Sequence, residues 1–95
     1  MPPDSNLKRT ISVPDSVLVR ELDGESVLLD VRSEKYFGLD EVGTRMWAAL
    51  TRLGDTESAC KALLEEFDVE PERLRADLEA LLGELVDQGL LVVHE

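Results

Sequence analysis

Three short stretches in the first half of the chain are rich in β-branched and other apolar residues, and turn residues separate them. The stretches are Val17–Leu22, Ser26–Arg32 and Lys35–Leu39. Asp23-Gly24, a frequent hairpin turn, lies between the first two, and a polar Ser33-Glu34 break precedes the third. Connections this short join only antiparallel neighbours. The pattern therefore predicts a three-stranded antiparallel sheet.

After Asp40 the apolar residues recur with helical spacing. A first helix is predicted to begin at Asp40, whose side chain suits an N-cap, and to end at Gly54. Its apolar face comprises Val42, Met46, Trp47 and Leu50. A second helix follows an Asp55-Thr56 cap, with apolar residues four apart at Ala59, Leu63 and Phe67. The strands are thus followed by at least two amphipathic helices.

A third helix carries the strongest periodic signal of the chain. Pro71 suits its first turn, and Gly89 ends it. The apolar stripe comprises Leu74, Leu78, Leu81, Leu82, Leu85 and Val86, and Leu90–Val93 forms a short apolar tail. The order β-β-β-α-α-α predicts an α+β, winged-helix-like domain over residues 15–95. Residues 1–14, rich in Pro, Ser, Asp and Asn, are predicted to be a flexible lead-in.

Composition narrows the classes of function. Ninety-five residues are enough for one domain with a thin core, and leave little room for a deep pocket. The net charge is −11, and it is uneven: residues 1–47 hold 6 basic and 9 acidic residues, whereas residues 48–95 hold 4 and 12. An acidic chain repels phosphate backbones, which argues against a nucleic-acid partner.

The cysteine content and the lengths of the apolar runs predict the compartment and whether the protein binds membranes. The single cysteine, Cys60, excludes an internal disulfide, and a small domain without disulfides is typical of a reducing compartment. No apolar run reaches the length of about 20 residues that spans a bilayer, and the N-terminus lacks the apolar core of a secretory signal. We expect a cytoplasmic protein that does not bind membranes.

The chain shows no pattern that indicates catalysis. Its only histidine, His94, lies one residue from the end, a poor position for a general base. Cys60 lies within a predicted helix, and no histidine is near it in the sequence. Phosphate loops, dinucleotide fingerprints, metal-ligand spacings and calcium loops are absent from the sequence. We therefore predict no enzyme activity, no metal and no cofactor.

Three features favour a peptide ligand. The short strand Lys35–Leu39 lies at a predicted sheet edge, where an extended peptide can add as a further strand. Tyr36 and Phe37 are adjacent on it and point to opposite faces. Outside its leucine stripe the last helix is acidic, so beside the edge strand it would form a groove with a leucine floor and a carboxylate rim.

The ordered set of these features resembles the PqqD family. Val19–Trp47 and the final DVEPERLRADLEALLGELVDQGLL segment carry the resemblance, which covers about Val17–Val93. The matching positions are Asp23-Gly24, Val27–Leu29, Tyr36, Phe37, Leu39, Asp40, Gly43, Trp47, Asp77 and Gly89–Leu91. Asp40 stands where the family often has Asn, and both residues cap helices.

The resemblance implies a RiPP precursor recognition element, which binds the leader segment of a ribosomally made precursor peptide. Such domains are peptide chaperones in natural product biosynthesis and are not themselves catalysts. The implied partners are the leader and either a leader peptidase, as in lasso-peptide biosynthesis, or a radical SAM enzyme, as in pyrroloquinoline quinone (PQQ) biosynthesis. The lasso type is favoured. The alternatives are the PQQ-type chaperone and a winged-helix interaction or regulatory module that binds a folded protein, or DNA despite the charge.

The predicted mechanism is strand addition at Lys35–Leu39, with pockets for alternate leader side chains. The candidate peptide-binding residues are Val27, Leu29, Lys35, Tyr36, Phe37, Gly38, Leu39, Leu74, Asp77, Leu78, Leu81 and Glu84. Asp77 and Glu84, seven residues apart on the last helix, are predicted to meet basic leader residues. The same exposed edge also permits pairing between two copies, so both a monomer and a dimer are compatible with the sequence.

Overall fold

The computed structural model describes residues 10–94, in which five strands and three helices form an α+β domain. The strands are β1 (Thr10–Ser12), β2 (Val17–Leu22), β3 (Glu25–Asp30), β4 (Lys35–Leu39) and β5 (Val92–His94). The helices are α1 (Glu41–Leu53), α2 (Thr56–Glu66) and α3 (Pro71–Asp87). A three-stranded sheet has the order β2-β3-β4, and β1 pairs with β5 in a second, two-stranded sheet. The predicted winged-helix-like order of strands and helices is confirmed.

The β2–β3 hairpin turns where the sequence predicts. Leu22 pairs with Glu25, so Asp23 and Gly24 form the whole connection. Both have positive φ, 54° at Asp23 and 86° at Gly24, as a two-residue turn that follows the twist of the strands requires. Aspartate and glycine tolerate that conformation better than most residues. The dipeptide therefore fixes the register of the first two strands.

Strand β3 ends earlier than the predicted Ser26–Arg32. An Asp30 side-chain oxygen accepts the backbone N–H of Arg32 at 3.1 Å, and the backbone N–H of Glu34 donates to the Asp30 carbonyl at 2.7 Å. These local bonds turn the chain directly after Asp30, because Asp side chains compete with sheet pairing for backbone donors. The prediction for the end of β3 was wrong by two residues, and Val31–Glu34 form the loop to β4.

The helix ends follow the predicted caps. The Asp40 side chain accepts the backbone N–H of Gly43 at 2.8 Å, and Asp55 does the same for Ser58 at 2.7 Å. Gly54 ends α1 in the left-handed conformation, φ 82°, and donates its N–H to the Leu50 carbonyl. Since Asp40 follows β4 directly, its cap fixes the angle at which α1 leaves the sheet.

The core lies between the inner face of the large sheet and the three helices. Its fully buried large side chains are Leu28, Leu50, Leu63, Leu78, Leu85, Leu90 and Leu91.

The predicted flexible segment and the predicted domain are described only in part. Residues 1–9 of the segment and Glu95 of the domain lie outside the described residues. Within that segment Thr10–Ser12 forms β1, and Ile11 joins the core. Within the described part of the chain, no helix combines the length and apolar character needed to cross a membrane.

Candidate peptide-binding site

Strand β4 lies at the edge of the three-stranded sheet. Within residues 10–94 it pairs with β3 on one side, Tyr36 opposite Leu29 and Gly38 opposite Val27, and no strand pairs with its other side. In such a strand alternate backbone N–H and C=O groups point away from the partner. The β4 edge is therefore a template for one further strand, as the sequence predicts.

Seven of the candidates lie on β3 and β4, and they divide between the two faces of the sheet. Val27, Leu29, Tyr36 and Gly38 lie on the outer face, away from the helices, because they alternate with the buried Leu28 and Leu39. Tyr36 is 74% exposed, and Leu29 is half-buried. The part of the outer face that these four residues form is therefore apolar and mostly exposed.

The inner face of β4 belongs to the core. Leu39 is only 5% exposed, and Phe37 is half-buried against the core cluster. Leu39 therefore contributes chiefly to packing, while Phe37 lies between the core and the β4 edge. Lys35 is exposed at the start of the strand.

Beyond the end of β4, a depression of about 460 Å³ lies between α1, the α2–α3 loop and the start of α3. Its lining residues are Val42, Met46, Phe67, Asp68, Val69, Glu70, Arg73, Leu74 and Asp77. We call this the helical depression. It has an apolar floor and a rim of three carboxylates with one guanidinium, so it suits an apolar side chain next to a basic one.

The structure places only part of the predicted helical groove at this depression. Leu74 and Asp77 line it. Leu78 is 1% exposed and lies in the core, and Leu81 is half-buried against the core. Glu84 is exposed but lies outside the lining, about 10 Å from Asp77 along the helix axis. The leucine floor that the sequence predicts is therefore mostly core, and the depression uses the beginning of α3 alone.

Sequence reasoning missed the contribution of α1 and the α2–α3 loop. Val42 was assigned to the buried face of α1, yet it is 47% exposed at the depression. Phe67 was assigned to a helix face, yet it ends α2 and faces the same space. The one available signal was position: Val42 comes within three residues of the edge strand, so its exposed side chain had to lie near the strand's end.

One titratable group near the sheet departs from its ordinary behaviour. The Ser16 hydroxyl, and after it the backbone N–H of Arg32, donate hydrogen bonds that hold the pKa of Asp30 below its usual range. These bonds favour the ionised form of the carboxyl group. Asp30 thereby stabilises the β3–β4 loop, which leads into the edge strand.

The residues that form this geometry match a known protein family. The family model described as coenzyme PQQ synthesis protein D (PqqD) matches residues 25–91. The chain belongs to the PqqD family. The match begins at β3 and ends after α3, so it includes both β4 and the helical depression of this PqqD-family protein.

Two solved structures share the fold. "TbiB1 in Complex with the TbiA(beta) Leader Peptide" is 34% identical with a TM-score of 0.79, and the match covers 84% of this chain and 93% of that one. "Lasso peptide synthetase B1 complexed with the leader peptide" is 24% identical with a TM-score of 0.78, covering 87% and 98%. No curated protein matches the chain.

Proposed function

We propose that this PqqD-family protein binds the leader segment of a ribosomally synthesised precursor peptide and presents it to a modifying enzyme or leader peptidase. The observation that carries the proposal is the likeness to TbiB1, which is 34% identical over nearly its whole length and was solved in complex with a leader peptide. The free edge of β4 and the adjoining helical depression supply the surface that such a peptide needs.

Binding proceeds by strand addition. The backbone of β4 provides the hydrogen bonds, which are largely independent of sequence, and the side-chain pockets provide selectivity. A leader strand on β4 continues past Leu39 toward Val42 and the helical depression, where an apolar leader side chain is covered. A neighbouring Lys or Arg of the leader then meets the Asp77 side of the rim. This role needs no catalytic group from the chain.

A lasso-peptide pathway, with a leader peptidase as the partner enzyme, is favoured over the PQQ pathway. The fold shared with a lasso peptide synthetase B1 supports the lasso assignment, whereas the description of the matching family model supports the PQQ pathway. The gene neighbourhood distinguishes the two. A precursor gene beside a leader peptidase and a cyclase indicates the lasso pathway, and a radical SAM gene beside the precursor gene indicates the other.

Amide hydrogen exchange tests strand addition directly. Alternate amides of Lys35–Leu39 already bond to β3, so the leader should slow exchange at the remaining ones, which point to the free edge. The edge of β2 is the internal control, because Val17–Leu22 also has one unpaired side in the described chain. Protection on β2 instead of β4, or no saturable binding of the leader, would refute the proposal.

A further inference from the structure

Gly38 occupies a position where nothing in the fold requires glycine. Its φ is not among the positive values, which occur at Gly24, Gly54 and Gly89. A Cβ built on Gly38 meets no heavy atom within 4 Å, so alanine or a larger residue would fit. Glycine in the interior of a strand lowers stability, because it leaves more backbone entropy to lose and offers no side chain to pack.

The missing side chain opens a depression on the outer face of the sheet. This depression, which we call the Gly38 notch, has a volume of about 390 Å³. Its lining includes Arg20, Leu22, Val27 and Gly38. Leu22 is 74% and Val27 is 42% exposed, so the notch presents apolar surface that the described chain leaves uncovered.

Strand geometry limits what fills the notch. Gly38 pairs with Val27, and Val27 pairs with Arg20, so these three residues form one row across the sheet. A strand added to β4 places one residue at the open end of this row, about 9.6 Å from Val27 at two strand spacings. A short or β-branched side chain does not span that distance. A flat aromatic ring does, because it can lie across a glycine and contact the next strand.

We propose that the Gly38 notch is a subsite for an aromatic side chain of the leader, namely the outward-facing residue that pairs with Gly38. The ring covers the Gly38 backbone and packs against Val27, and the exposed Arg20 at the far end of the row offers a cation–π partner. The inference rests on strand addition at β4. It adds a second specificity pocket, on the opposite face of the sheet from the helical depression.

The test compares two substitutions against a matched glycine control. Gly38→Val should weaken binding of the leader from the associated precursor gene about tenfold, with a smaller loss for Gly38→Ala. Both variants should melt at the same temperature as the wild type or higher, since the new side chain meets no atom. Gly83→Ala is the control: Gly83 is exposed on α3 and also has open space around its Cβ position, so its Kd should not change.

A set of leaders, each with one aromatic residue replaced by alanine, completes the test by isothermal titration calorimetry. One of these leaders should bind the wild type about tenfold more weakly, and Gly38→Val should weaken it little further. Unchanged affinity of Gly38→Val, or equal losses for every leader, would overturn the notch as an aromatic subsite. So would intact binding of Gly38→Val combined with lost processing by the partner enzyme, because the notch would then serve the enzyme. A wild type that binds no leader refutes the proposed function itself.

Discussion

A buried pair of hydroxyl groups joins β3 to α1, and its removal has a calculable effect. The Ser26 and Thr44 hydroxyl oxygens lie 2.7 Å apart, and the two residues are only 4% and 3% exposed. The Thr44 hydroxyl has a second acceptor, the Leu39 carbonyl at 3.5 Å. Within residues 10–94 the Ser26 hydroxyl bonds to Thr44 alone. Loss of the Thr44 hydroxyl therefore leaves Ser26 without a hydrogen bond, whereas loss of the Ser26 hydroxyl leaves Thr44 with one.

Thr44→Val removes one partner and leaves the Ser26 hydroxyl buried without a hydrogen bond. That change should cost about 2 kcal/mol of the free energy of unfolding, within the range of about 1–3 kcal/mol for a stranded buried polar group. In a domain of this size the loss lowers Tm by roughly 10 °C. Ser26→Ala should cost less, because the Thr44 hydroxyl keeps the Leu39 carbonyl as an acceptor. The double variant should be nearer to the wild type than the sum of the two losses.

Urea titrations followed by the fluorescence of Trp47 measure these differences. Trp47 is the only tryptophan and is 6% exposed, so it reports unfolding of the core. The m-values must agree among the four proteins for the comparison to hold. Losses that simply add in the double variant, or a Thr44→Val loss below about 0.5 kcal/mol, would contradict the assigned hydrogen bond.

Three further predictions concern the helical depression and the acid stability of the sheet. Val42→Gln should weaken leader binding several-fold without lowering Tm. The control is Val86→Gln, at a position on α3 that is 39% exposed and lies outside the depression, and it should change neither the Kd nor Tm. Equal effects of the two variants would exclude the depression from the site. Asp77→Lys should weaken the binding of a leader that carries Lys or Arg, most strongly at low salt, and Glu84→Lys should weaken it less. A larger loss of affinity for Glu84→Lys than for Asp77→Lys across a salt series would place the site further along α3. The pKa of Asp30 is lower in the folded protein than in the unfolded chain, where it is about 4. Asp30 therefore stabilises the fold above about pH 4, and this contribution disappears as the pH falls through the folded pKa. Asp30→Asn should therefore lose less stability than the wild type in melts between about pH 4 and 2, and parallel curves would exclude that contribution.

The sequence was informative wherever one residue decides local geometry. Asp23-Gly24 fixed the hairpin, Asp40 the start of α1, and Gly54 its end, because each of these residues meets a specific backbone requirement. Hydrophobic spacing also predicted α3, since a stripe of leucines four apart has one natural side to bury. These features depend on neighbours in sequence, which a single chain displays.

The candidate site was less predictable, because it depends on which elements meet. Hydrophobic spacing marks Leu78 and Leu74 equally, but only packing shows that Leu78 is enclosed while Leu74 also borders the helical depression. Phe67 lines the depression because of the path that the α2–α3 loop takes, and the spacing of apolar residues does not reveal that path. Likewise, the sequence names Gly38 as a candidate, but only its register with Val27 reveals the open space above it.

The pairing of β1 with β5 has a consequence for how the domain joins other polypeptides. Thr10 lies opposite His94 in this antiparallel ladder, at a separation of about 5 Å. The described residues, 10–94, thus begin and end side by side in the fold. A module of this kind can be spliced into a surface loop of a larger enzyme, because the two ends of the host loop need not move apart to receive it. The same geometry allows a circular permutant, joined by a short linker between these strands and reopened elsewhere, to keep the peptide edge intact.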